Sequence, residues 1–135
     1  MRFLLDTSIC LYALKHRPPE VLERLRAVGK SSVSLSVITV LELRVGAEKS
    51  QAPAATHAKL DHFLAPMRIL PFDLEAALAA ARIRAHLEQQ GRPIGDLNNL
   101  IAAQALSQGL ILVTNNVREF ERVPGLSVAN WVHPA

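Results

Sequence analysis

The chain has 135 residues, half of them hydrophobic, a formal net charge of +3 and one cysteine, Cys10. That length fits a single domain over residues 1–135 with enough aliphatic mass for a core, and the lone cysteine excludes an internal disulfide and points to a reducing compartment. No apolar run approaches the roughly 20 residues of a membrane helix, so a cytoplasmic protein with no membrane role is expected, and the modest basic excess is compatible with nucleic acid without establishing it.

In chain order, Arg2-Phe3-Leu4-Leu5-Asp6 is a short apolar run ending in an acid and reads as a buried strand. Thr7-Ser8 starts a helix through Leu14, and Pro18-Pro19 opens a second with Val21, Leu22, Leu25 and Val28 on one face, ended by Gly29. Ser32–Ser36 alternates and reads as a strand. Helices follow over Val37–Ser50 and Ala54–Leu64, then a short strand at Arg68–Leu70. Asp73 caps a long helix to Gln90, and a further helix after Gly95-Asp96 runs to Gln108 and stops at Gly109. Leu110–Thr114 is the most apolar strand, and Ser127–Ala129 suits a last edge strand. Strands alternating with helices predict an α/β fold: a three-layer α/β/α sandwich around a mostly parallel sheet.

Open parallel sheets place their ligands outside the carboxyl ends of the strands. Asp6 ends the first strand and Thr114-Asn115-Asn116 ends a later one; if these strands are neighbours, their ends define one crevice. An acid directly after Leu4-Leu5 is costly to desolvate unless a cation or donors compensate, although it also suits the N-cap of the next helix. Glu42 stands inside an otherwise apolar stretch, Val37–Leu43, where it is either a site residue or part of an exposed face with Arg44. Glu119 leaves the Asn115-Asn116 turn and either reaches the crevice or pairs at the surface with Arg118 or Arg122. Several carboxylates cannot all stay ionised side by side without a cation, and Mg²⁺ or Mn²⁺ is the usual solution. Such a centre on a basic chain suits phosphodiester hydrolysis.

Other chemistries fit less well. Cys10 lies on an apolar helix and reads as core, and Trp131 reads as a packing residue. His57 and His62 are five apart, a poor spacing for one helix face, which argues against zinc. No glycine-rich phosphate loop is present. A non-catalytic α/β module that binds RNA or protein is the alternative reading; a receiver-like version would want an acidic pair early and a late lysine, where this chain has Asp6 alone and Asn115-Asn116.

The motifs resemble those of the PIN-domain family, and of VapC-like toxins within it. Phe3–Ser8 resembles the family's opening, Ile38–Ser50 the segment carrying its second acid, Pro93-Ile94-Gly95 with Asn99–Ala103 its third-acid helix, and Val113–Leu126 its closing motif. The similarity covers nearly the whole chain, in order. It implies a Mg²⁺-dependent endoribonuclease toxin that cleaves RNA, often tRNA, and is neutralised by a VapB-type antitoxin. It further implies a homodimer that reaches operator DNA only through the antitoxin. Asp6 and Glu42 become metal ligands, Thr7 supports Asp6, Glu119 becomes a fourth acid, and Asn115 and Asn116 line the site.

One departure matters. Where the resemblance implies a third catalytic aspartate, three residues after Gly95, this chain has Asn98. Asp96 lies two residues earlier, about 200° around a helix, so it is assigned to the N-cap and Asn98 to the metal-site position. Asparagine keeps the shape but loses a charge and a strong oxygen ligand, so weakened Mg²⁺ binding and little or no cleavage are expected.

Overall fold

A strand whose alternate residues are both apolar must be covered on both faces. The first strand meets this condition, as does Ile111–Val113, whereas Val33–Ser36 alternates with serine and is nonetheless buried on both faces. In a computed structural model describing residues 2–133, β1 (Phe3–Leu5), β2 (Val33–Ser36), β3 (Arg68–Leu70), β4 (Ile111–Val113) and β5 (Val128–Ala129) form one sheet in the order β3-β2-β1-β4-β5. Every pairing is parallel, with Leu4 opposite both Ser34 and Leu112.

The helices are α1 (Thr7–Lys15), α2 (Pro19–Val28), α3 (Val37–Glu48), α4 (Pro53–Leu64), α5 (Leu74–Gln89), α6 (Asp96–Gln108) and the short α7 (Val117–Phe120). Phe3, Leu5, Val33, Leu35 and Val113 pack with Ile9, Val21, Leu25, Leu43 and Leu60 of α1 to α4. Leu4 and Leu112 point the other way, into Ala79, Ile83, Leu87, Ile101 and Phe120 of α5, α6 and α7. Two cores on one sheet make the expected three-layer α/β/α sandwich. Cys10 and Trp131 are buried in the first core, where Trp131 meets the Phe3 ring edge-on at 5.5 Å. No described helix is long and apolar enough to cross a membrane.

The element ends follow their local signals. Asp73 accepts the Ala76 N–H and caps α5, and Gly109, at φ 65°, closes α6 in the left-handed conformation that favours glycine. One expectation needs correction. Asp96 is the first helical residue of α6, not its cap; Gly95 holds the cap position, and no side chain bonds the first turn there. Asp96 favours the helix start through its charge near the N-terminal dipole instead. The segment leaving β4 contains α7, a single turn too short to show a periodic pattern in the sequence.

Leu112 is fully buried in the central layer. Leu112→Ala is expected to cost about 2–5 kcal/mol in urea denaturation. Leu74→Ala, at a residue 71 % exposed, should stay within about 0.5 kcal/mol. Equal effects would contradict the assignment of the core.

Candidate active site at the carboxyl edge of the sheet

From β1 the chain proceeds outward to β2 and β3, then returns to β4 on the other side of β1. The direction therefore reverses between β1 and β4, and open sheets bind ligands at such a switch point. The two strand ends suspected from sequence are neighbours: the Asp6 N–H donates to the Val113 carbonyl at 3.0 Å.

Asp6 closes β1 and caps α1. Its Oδ1 accepts from the Ile9 N–H at 2.9 Å and from the Ser8 hydroxyl at 2.8 Å. Burial pushes its carboxyl above the ordinary 3.8; hydrogen bonds from Thr114, Ile9 and Ser8 oppose the rise, and the charge of Glu42 adds to it. Glu42 is half-buried on α3 and accepts from the Thr7 hydroxyl at 2.6 Å. Thr7, expected to support Asp6, therefore orients Glu42, while Ser8 and Thr114 hold Asp6. Among the described residues no ion pair involves Asp6, Glu42 or Glu119.

Asn98 and Glu119 form the other half of the edge. Glu119 Oε1 accepts from the Gly95 N–H at 2.8 Å, and its Oε2 accepts from the Asn116 amide at 2.6 Å. Burial raises its pKa, but hydrogen bonds from Gly95, Asn98 and Asn116, with the charge of Arg122, bring it net below the ordinary 4.5. A β-carbon placed on Gly95 would stand 3.7 Å from both Asn98 Nδ2 and Glu119 Oε1, so the two groups flank that backbone. Asn115 turns away from Glu119: its amide donates to the Tyr12 hydroxyl at 3.3 Å, and it accepts from Asn130.

Thr114 joins the halves. Its side chain lies against Asp6 and lowers that carboxyl's pKa, and its Oγ1 accepts the Asn116 N–H at 2.9 Å. Four residues far apart in sequence thus share one edge, linked through a threonine that sequence reasoning noted only as part of a turn. Its signal was available: a polar residue closing an apolar strand. Among the described residues no three of His, Cys, Asp and Glu converge as a metal cluster. With an amide at position 98, the carboxylates divide into Asp6 with Glu42 on one side and Glu119 on the other.

The donor set fits a hard divalent cation. Among the described residues Asp6 and Glu42 are oxygen donors placed together without a basic partner, an arrangement that favours a cation completed by water and substrate phosphate. Asn98 fits less well, because its neutral amide stands beside Glu119 and adds no negative charge for a cation.

The PIN domain family profile matches residues 3–126. The chain is 44% identical over 131 residues to the tRNA(fMet)-specific endonuclease VapC of Shigella flexneri, covering 97% of this chain and 98% of that protein. It is 46% identical over 133 residues to ribonuclease VapC2 of Haemophilus influenzae, covering 98% and 99%. Among solved structures, a chain of the DNA-bound VapBC complex of Salmonella typhimurium superposes with a TM-score of 0.93 at 40% identity, covering 98% of this chain and 99% of that one.

Proposed function

The chain belongs to the PIN-domain family, in its VapC branch, and on that footing we propose that it is the toxin scaffold of a VapBC pair, a metal-dependent endoribonuclease attenuated by Asn98. The observation that carries this reading is the pairing of Asp6 and Glu42 at the switch point with no basic partner among the described residues. A protein that needed neither charge for chemistry would gain by neutralising one.

In this reading Asp6, Glu42 and position 98 hold Mg²⁺ or Mn²⁺, and Glu119 completes the acidic edge. When bound, such a cation neutralises charge at the scissile phosphate and acidifies water. The chain's own residues prepare the edge. Thr7 fixes the Glu42 rotamer, Ser8, Thr114 and the Ile9 N–H aim Asp6, and the Gly95 N–H with Asn116 keeps Glu119 ionised. RNA is the proposed substrate, with tRNA supported by the name of the Shigella relative. The test is metal-dependent cleavage of RNA by the Asn98→Asp chain beside the present one.

We assign the VapB-type antitoxin to the apolar groove between α1, α3 and α4, a cavity of about 340 Å³ lined by Leu11, Leu14, Leu43 and Leu60. Lys15 and Lys59 on its rim suit an acidic amphipathic helix. Operator DNA is reached through that antitoxin. A homodimer is also proposed, covering the exposed row Val37, Leu41 and Val45 of α3, of which Leu41 is 54 % exposed. Leu11→Glu is expected to leave the melting temperature unchanged and to abolish co-purification with a co-expressed antitoxin. Retained capture would remove the groove assignment.

A further inference from the structure

Gln104 has no exposed surface and interrupts the apolar run Ile101-Ala102-Ala103-Gln104-Ala105 of α6. A fully buried amide is tolerated only when it is hydrogen-bonded, and each of its two polar atoms has a partner. Oε1 accepts from the Ser36 hydroxyl at 2.9 Å, and Nε2 donates to the Pro71 carbonyl at 3.1 Å. The same Ser36 oxygen accepts the Ile38 N–H at 3.0 Å and so caps α3. One side chain therefore ties α6 to the β2–α3 corner and to the exit of β3.

The two tied helices carry the two halves of the site. Glu42 follows Ser36 by six residues along α3, and Asn98 precedes Gln104 by six along α6, each about 9 Å of helix from the tie. Among the described residues no other side-chain hydrogen bond joins α6 to that corner. The hydrophobic effect is non-directional, whereas a hydrogen bond of defined distance and angle to a helix cap specifies which residues meet.

We propose that Gln104 is a positioning residue for the acidic site, holding position 98 on α6 in register with Glu42 on α3. The proposal rests on the ribonuclease reading for its functional meaning, but its geometry can be read without metal. Gln104→Met keeps the volume, takes the acceptor from the Ser36 hydroxyl hydrogen and takes the donor from the Pro71 carbonyl, while the Ser36 oxygen keeps the Ile38 N–H. Leu25→Ala, buried in the opposite core, serves as the comparison for general destabilisation. The first measurement is the side-chain amide resonance of Asn98 in the metal-free chain by NMR. It should move in Gln104→Met and stay in place in Leu25→Ala. The second is Mn²⁺ affinity by calorimetry in the Asn98→Asp background. It should fall at least about 10-fold with Gln104→Met, in the range typical of residues that orient metal ligands, and stay within twofold with Leu25→Ala. A Ser36→Ala change should lower affinity less when Gln104 is already methionine, because both act through one bond. An unmoved Asn98 amide, or equal losses in both variants, overturns the proposal. Should the Asn98→Asp chain take up no Mn²⁺, the ribonuclease reading falls, and the Asn98 resonance still decides the positioning role.

Discussion

Asn98→Asp is expected to confer Mg²⁺- or Mn²⁺-dependent RNA cleavage at least about 100-fold above that of the present chain, since even residues that only orient metal ligands change affinity by about 10–100-fold. In the present chain the Asn98 amide stands beside Glu119 and helps hold that carboxyl below its ordinary pKa. An aspartate there removes the donor and sets a second negative charge beside the first. The metal-free variant should therefore lose stability at neutral pH, by no more than about 1 kcal/mol because the pair is partly exposed and screened by solvent. Divalent cation should return it, so that the melting temperature becomes metal-dependent where that of the present chain is nearly flat.

The pH response follows. In the present chain Glu119 is depressed, so its contribution is present above about 4.5 and lost as pH falls through its folded value. Asn98→Asp should shrink that contribution. Equal cleavage by both chains, or none by either with metal present, would refute the assignment of position 98.

Asp6→Asn is expected to abolish the activity gained in the Asn98→Asp background and, without metal, to raise the melting temperature. Burial raises the Asp6 carboxyl above 3.8, with Glu42 adding to the rise. The folded chain then holds a proton more tightly than the unfolded chain, so stability is lost as pH climbs from about 3.8 through the folded value. The loss grows with pH until Asp6 is ionised in both states, and asparagine removes it. An amide keeps an oxygen for the Ile9 N–H and the Ser8 hydroxyl, and its nitrogen can donate to Thr114. The gain should vanish below about pH 3.8, where Asp6 is protonated in both states. A variant less stable than its parent at pH 7 would show that the carboxylate serves structure rather than chemistry. Such a trade of stability for activity is common at functional sites.

Much of the arrangement was legible in the residues. Apolar runs of strand length, Pro18-Pro19, Asp73 and Gly109 set the elements to within a few residues, because these signals act locally. The order of strands and helices gave the layered fold, and acids in apolar surroundings marked Asp6 and Glu42. The motif order supplied Asn98, which no local pattern distinguishes from Asn99.

Tertiary structure decided what depends on contacts between distant segments. It paired β1 with β4 and so brought Asp6 beside Thr114. It gave Thr7 to Glu42 rather than Asp6, and gave Asp96 the first helical turn while Gly95 took the cap. It also buried Gln104 against Ser36, a partner 68 residues away. The physical reason is range: propensity and capping involve neighbours within a turn or two, whereas hydrogen-bond partners across the sheet exist only after the two cores close and fix which edges meet.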